Sequence, residues 1–300
     1  MRILSLFDCD LNTMIKFLPE IKSQGFDAVQ ISPLQNTKDD YSNEWWILYQ
    51  PINFNIGNRI GNIDDLKRLC DEANKYNLII VADAVINHLA SIDNNGSLFP
   101  HPNCDKDILH DKNAWKEKRN VTDWYDRYEV THYCMSLPGL NPNNKLVQQK
   151  IINMLNKYIE CGVRGFRFDA AKSIALPEEG CDFFSNVTFC LNKWIDIIYG
   201  EVLFSDKELF KKYSKYMKVL TNSDAYNNDD IIKFIENKDS YLSKDLGYTK
   251  NNSIKEINEW YGNISSYYPN TLYYARNYSN DWHSWKSNEV KNANLKLRKH

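Results

Sequence analysis

G-V-R-G-F-R-F-D-A-A-K, residues Gly162 to Lys172, is the stretch on which the reading of this chain turns. It opens as an apolar, aromatic run of the kind buried on both faces of a parallel sheet, then stops abruptly at Arg167, Asp169 and Lys172. Charge at the C-terminal end of a buried strand is where a parallel barrel keeps its chemistry. Arg167 and Asp169 stand two residues apart, so both side chains leave the same face of a strand. An isolated R-x-D would read as a partly buried ion pair closing a strand.

Two more stretches repeat the pattern. Leu78 to His88 (L-I-I-V-A-D-A-V-I-N-H) ends an apolar strand in Asp83, Asn87 and His88, and Ile197 to Phe204 (I-I-Y-G-E-V-L-F) sets Glu201 inside an apolar run. Helix-like segments lie between the three. At 300 residues and 43% hydrophobic content the chain can form one barrel-sized core, expected as a single domain over residues 1–300. A net charge of -2 gives no electrostatic reason to expect nucleic acid or an anionic membrane as partner. The seven Cys show neither a C-x-x-C pair nor zinc spacing and read as free thiols. No stretch approaches the roughly 20 apolar residues of a membrane span. The first residues, M-R-I-L-S-L-F-D, lack the core and cleavage site of a leader, so a cytoplasmic protein is expected.

In chain order, strands are expected at Ile3–Phe7, Phe26–Ile31, Leu78 onward, the Arg167 run, the Glu201 run, Lys218–Asn222 and Thr271–Ala275. Helices are expected at Leu11–Gln24, Asp64–Tyr76, Lys145–Glu160, Phe183–Ile195, Lys207–Tyr216, Asp229–Glu236 and Ile254–Tyr261, with Asn62 or Asp64 as one cap. That makes about seven strands alternating with helices, one short of the eight of a closed (β/α) barrel. Residues 89–141 lose periodicity, and a loop that long inside a compact domain is usually functional.

D-A-V-I-N-H, G-F-R-F-D-A-A-K and G-E-V, in that order, resemble three short motifs of the α-amylase family of glycoside hydrolases. The resemblance extends through D-A-V-Q-I-S-P (Asp27 to Pro33), W-W-I-L-Y-Q-P (Trp45 to Pro51) and I-G-N-R-I-G (Ile56 to Gly61) and covers most of the chain. It implies a (β/α)8 TIM barrel with a small subdomain, here 89–141, inserted after strand three. It also implies a retaining glycosidase acting on α-1,4-linked glucans such as starch, glycogen or maltodextrins. Asp169 would be the nucleophile and Glu201 the acid/base, on consecutive strands about 4.8 Å apart, which suits the roughly 5 to 5.5 Å that retention needs between carboxyl groups. A neighbouring Arg167 favours an ionised Asp169, and apolar neighbours favour a protonated Glu201. Tyr49 would stack on the sugar, with Trp46 and Gln50 nearby. His88 would hydrogen-bond the sugar, Asp83 would anchor the site from below, and Lys172 would contact the next sugar. Asn87 matches a residue that ligates a structural Ca²⁺.

The pattern is broken in places. The family's third carboxylate follows strand seven in a motif ending His-Asp, and alignment on L-Y-Y-A-R-N-Y-S-N-D sets Tyr278 and Ser279 there, leaving Asp281 as the remaining candidate. Gly139 stands where the family has a calcium-ligating aspartate, and Ser173 where close relatives have a histidine. Without that carboxylate an oxygen-ligand Ca²⁺ site loses charge and affinity. The 19 residues after Asp281 are too few for an eighth strand, its helix and a C-terminal sheet domain, so an open edge between strands one and seven is expected. Two further classes remain: a silent relative that binds α-glucan through Tyr49, Trp46 and His88, and a truncated product that folds poorly. Transglycosylation on the same barrel shares the nucleophile and stays open, as does oligomeric state.

Overall fold

The computed structural model describes every residue except 192–193, 204, 224–228, 243–248, 250, 277–283 and 297–300. Eight short strands form the centre: β1 (Arg2–Leu6), β2 (Ala28–Ile31), β3 (Ile79–Ala84), β4 (Gly165–Phe168), β5 (Ile197–Glu201), β6 (Lys218–Thr221), β7 (Ile231–Phe234) and β8 (Thr271–Tyr274). They close into a barrel in sequence order, and every pair is parallel. β1, β2, β4, β7 and β8 are buried along their whole length. Burial on both faces is why these runs are apolar throughout instead of alternating.

The expected open edge is absent. Residues 2–5 of β1 pair with 271–274 of β8, so strand one meets strand eight. The missing strand is Ile231–Phe234, which lies inside the stretch expected as a helix over Asp229–Glu236. A short apolar run cannot be assigned by periodicity alone, and Lys233 in its middle imitates an exposed helical face. In the fold Lys233 is buried, its ammonium reaches the Asn222 carbonyl at 2.7 Å and it lies 5.3 Å from the Tyr268 ring centre.

The longer helices around the barrel are α1 (Leu11–Ser23), α2 (Ile63–Lys75), α3 (Lys145–Glu160), α4 (Phe183–Phe189), α5 (Lys207–Tyr213), α6 (Ile254–Tyr267) and α7 (Asn288–Lys296), and one short helix, Lys238–Leu242, follows β7 to make eight among the described residues. Side-chain caps start most of them: Asp10 for α1, Asn144 for α3 and Asp206 for α5. Asn62 with Asp65 and Ser253 with Glu256 close full capping boxes on α2 and α6. Among the described residues no helix is long and apolar enough to cross a membrane.

The chain after β8 covers the seam between β8 and β1. Trp285 is completely buried, edge-on to Phe17 of α1 and to Phe26. Lys286 pairs with Glu20. Asn294 of α7 accepts from the Tyr261 hydroxyl at 2.8 Å and donates to the Gln24 carbonyl at 3.0 Å. This tail, expected to be too short for a last barrel unit, supplies the eighth helix.

Residues 89–141 carry little regular structure, as expected. The segment holds two short helices (Lys106–His110 and Arg127–His132) and a pair of short strands (Glu117–Asn120 and Tyr133–Cys134); a bridge between Trp115 and Leu140 joins two of its parts, and one between His88 and Gly139 ties it to the loop after β3.

Replacing Trp285 with Ala removes the largest side chain sealing the seam, and truncating a buried Trp typically costs about 3–5 kcal/mol. Urea unfolding of Trp285→Ala is expected to show that loss; a midpoint equal to the parent's would mean the tail does not support the barrel.

Candidate active site

The mouth of the barrel, where β3, β4, β5 and β7 end, gathers the charged side chains. Register sets Asp83 beside Arg167 and Phe168 beside Gly200, so Asp169 and Glu201 follow on adjacent strands. Arg167, on β4, is nearly inaccessible. Its Nη1 donates to Asp83 Oδ1 at 2.8 Å, Asp83 Oδ2 at 3.0 Å and Asp169 Oδ1 at 2.6 Å, and its Nη2 pairs with Glu201 Oε1 at 2.6 Å. One guanidinium therefore bridges three carboxylates.

Their electrostatics diverge. Burial alone would raise Asp169, but Arg167, Lys238 and His88 outweigh it and hold the carboxyl below its ordinary value. Burial raises Glu201, with the Asp169 charge adding to it against Arg167 and Lys238. Asp83 is pushed up to about 6 by burial, against the pull of Arg167. Two buried carboxylates pushed in opposite directions are the mark of an acid and a base sharing one site. Ala170, between Asp169 and the next turn, has φ 48° and ψ 35°, and its N–H donates to Glu201 Oε2 at 3.2 Å. That left-handed residue turns the chain so that the loop after β4 holds the carboxylate of β5.

The other expected residues divide into two groups. Tyr49 and His88 join the cluster: the Tyr49 hydroxyl donates to Asp83 Oδ2 at 2.8 Å, and His88 Nε2 donates to the Tyr49 carbonyl at 2.9 Å. Burial pulls His88 down, favouring neutral imidazole, and its buried Nδ1 has no hydrogen-bond partner among the described residues. Gln50, Trp46 and Lys172 lie in surrounding loops. Gln50 Oε1 accepts from the Ser91 N–H at 3.3 Å, Trp46 lies 5.6 Å beneath the Lys38 ammonium, and Lys172 donates to the Trp124 carbonyl at 2.9 Å. Burial pulls Lys172 down to about 8.

The expectation at the seventh strand is corrected. Thr271–Tyr274 is strand eight, so Tyr278 and Ser279 do not follow strand seven, and together with Asp281 they lie outside the described residues. Beyond β7 the chain continues as Ile235-Glu236-Asn237-Lys238-Asp239. Lys238-Asp239 stands where the resemblance predicts His-Asp. Glu236 is gripped by Arg276 at 2.8 and 2.7 Å. Asp239 is partly open to solvent and pairs with Lys238 at 2.9 Å. Lys238 places its ammonium 4.5 Å from the Tyr49 ring centre. Burial works against its charge, but Asp239, Glu201 and Asp169 together raise its pKa above the ordinary value. Sequence reasoning missed both residues, although I-I-K-F-I-E-N-K-D ends an apolar run in a polar cluster just as β3 and β4 do.

Asn87 lies apart from this cluster. Its Oδ1 accepts from Lys116 Nζ at 2.8 Å, and the same Nζ donates to the Ser173 carbonyl at 2.5 Å. Burial pulls Lys116 down to about 7; its nitrogen carries enough N–H groups to donate to both oxygens as amine or as ammonium. Among the described residues no group of three or more His, Cys, Asp or Glu is placed to hold a metal ion.

The family model for the α-amylase catalytic domain matches residues 7–258. The chain belongs to the α-amylase family of glycoside hydrolases. It is 37% identical over 232 residues to an α-amylase of Clostridium acetobutylicum, covering 72% of this chain and 30% of that protein. To an α-amylase of Butyrivibrio fibrisolvens it is 27% identical, covering 74% of this chain and 25% of that protein. The chain thus spans less than a third of the length of these two family members. Among solved structures, an α-amylase I variant from Eisenia fetida in complex with maltohexaose superposes with a TM-score of 0.75 at 17% identity, covering 94% of this chain and 69% of that one. An α-amylase from Geobacillus thermoleovorans complexed with acarbose gives 0.70 at 20% identity, covering 91% and 69%. At such identities the structures show the shared amylase barrel.

Replacing Arg167 with Leu strands three buried carboxylates without their cation. Breaking a buried ion pair by removing one partner costs about 3–5 kcal/mol, so Arg167→Leu is expected to lose at least that in denaturant unfolding at neutral pH. A loss under about 1 kcal/mol, typical of an exposed ion pair, would mean the cluster is solvated.

Proposed function

We propose that this chain hydrolyses α-1,4-glucosidic bonds with retention, as the catalytic barrel of an α-glucan hydrolase, with residues 89–141 as one wall of the cleft. The observation that carries the reading is the single Arg167 guanidinium holding Asp169 and Glu201 on neighbouring strand ends while their environments drive their pKa values apart. Two carboxylate oxygens on adjacent nitrogens of one planar group are compatible with the roughly 5 to 5.5 Å of a retaining pair. Asp169, kept ionised, attacks the anomeric carbon. Glu201, kept protonated, gives its proton to the leaving oxygen, then takes one from the water that releases the glycosyl-enzyme. Asp239 is assigned as the third carboxylate, in place of Asp281. Neutral His88 presents its free Nδ1 as an acceptor for a sugar hydroxyl. The maltohexaose and acarbose complexes of the structural neighbours support an α-linked glucose oligomer as substrate.

One observation favours a second reading. The Lys238 ammonium lies over the Tyr49 ring, the face on which the resemblance seats the sugar, so a glucan has to displace it. If it does not yield, the chain is a silent binder.

Release of reducing ends from soluble starch separates the two. The parent is expected to turn over, Asp169→Asn to abolish turnover, and Asp239→Asn to lower it about 10²- to 10³-fold, as for other lost electrostatic stabilisers. An inert parent that is activated by Lys238→His would establish the silent reading instead.

The pH profile supplies an independent check. With Asp169 held low and Glu201 raised, kcat/KM should rise through the Asp169 pKa and fall through that of Glu201. Lys238 lowers both groups, so Lys238→Met is expected to move both limbs to higher pH. Unmoved limbs would place Lys238 too far away to act on either carboxylate.

A further inference from the structure

Two departures from the family pattern, Gly139 for an aspartate and Ser173 for a histidine, meet the matching Asn87 at one point in space. Between them lies the amino group of Lys116, which is buried. It donates to Asn87 Oδ1 at 2.8 Å and to the Ser173 carbonyl at 2.5 Å. The Asn87 oxygen that the family turns on calcium is therefore already engaged. Gly139 is the complementary part. A Cβ at that position would lie 2.8 Å from Lys116 Cδ and 3.3 Å from its Cβ and Cγ, so the Lys116 stem runs through the space an aspartate side chain would need. The backbone agrees, since Lys116 N–H donates to the Gly139 carbonyl at 2.8 Å and Leu140 N–H to the Asn87 carbonyl at 2.8 Å.

We propose that Lys116 is a tethered hydrogen-bonding brace whose amino group occupies the position of the family's structural calcium, so that this chain joins its 89–141 segment to the barrel without a metal. The glycine that removes a calcium ligand and the lysine that fills the vacated space form one paired substitution. Lys116 ties the loops after β3 and β4 to the inserted segment through donors to neutral oxygens, where Ca²⁺ would need carboxylate charge to bind tightly. A lysine brace is also covalently part of the chain, so it cannot be stripped by dilution or chelation. The assignment does not depend on whether the active site turns over, because its readout is folding.

Thermal unfolding of the full chain, followed by circular dichroism in calcium chloride and in excess EGTA, is the test. The parent's melting temperature is expected to agree within about 1 °C between the two, whereas a ligand bound only by the folded state raises it with concentration. A calcium-dependent rise in the parent would overturn the proposal. Lys116→Met, which keeps the stem and removes the donor, is expected to melt several degrees lower, and a melting temperature equal to the parent's would overturn the brace. Should Lys116→Met fail to fold, the double variant Lys116→Ala with Gly139→Asp decides. It restores the carboxylate and empties the space, and it should unfold at higher temperature in calcium than in EGTA. If the double variant folds and takes no calcium by titration calorimetry, Lys116 does not mark the metal's position.

Discussion

The buried guanidinium of Arg167 is the constraint from which the mouth of the barrel follows. Asp83 and Asp169 are buried and Glu201 is largely so, and buried carboxylates are tolerated only when paired and hydrogen-bonded. Arg167 provides paired contacts for all three, at 2.6 to 3.0 Å. Its planar fork suits that task as a lysine ammonium would not. Because each carboxylate has other neighbours as well, one shared cation leaves Asp169 lowered and Glu201 raised. The opposite shifts of Asp169 and Glu201 thus arise from position around a common charge.

Closure of the barrel makes that arrangement rigid. Each functional group sits at the end of a strand whose neighbours are fixed on both sides, and β8 against β1 removes the edge that would let the ring breathe. The tail after β8 is part of this closure through Trp285 and Asn294. On the outer side, the Lys116 amino group links Asn87, the 89–141 segment and the loop after β4.

Residues are legible in the sequence where an apolar run ends in charge. Asp83, His88, Arg167, Asp169 and Glu201 all stand out for that reason, and the structure brings them together with Tyr49. The β7 run carries the same signal but is obscured by Lys233, whose charge suggests an exposed helical face. That one element carries the others with it. With Ile231–Phe234 read as a helix, Thr271–Tyr274 becomes strand seven, the third carboxylate is sought near Asp281, and the barrel looks open. Lys116 is illegible for a different reason: nothing local distinguishes a lysine in an irregular loop from any solvated one, and its partners lie 29 and 57 residues away.

By itself the sequence determined the order of buried strands and capped helices, and hence the barrel, together with the residue types at most strand ends. Those features depend on local hydrophobic patterning and capping, which are written in consecutive residues. Tertiary structure alone decided that eight strands close and which carboxylate comes after the seventh. It also decided that Arg276 grips Glu236 while Asp239 pairs with Lys238, and that Lys116 fills the space beside Gly139. Each of these depends on which distant groups compete for the same oxygen or the same volume, and such competition exists only after the chain has folded.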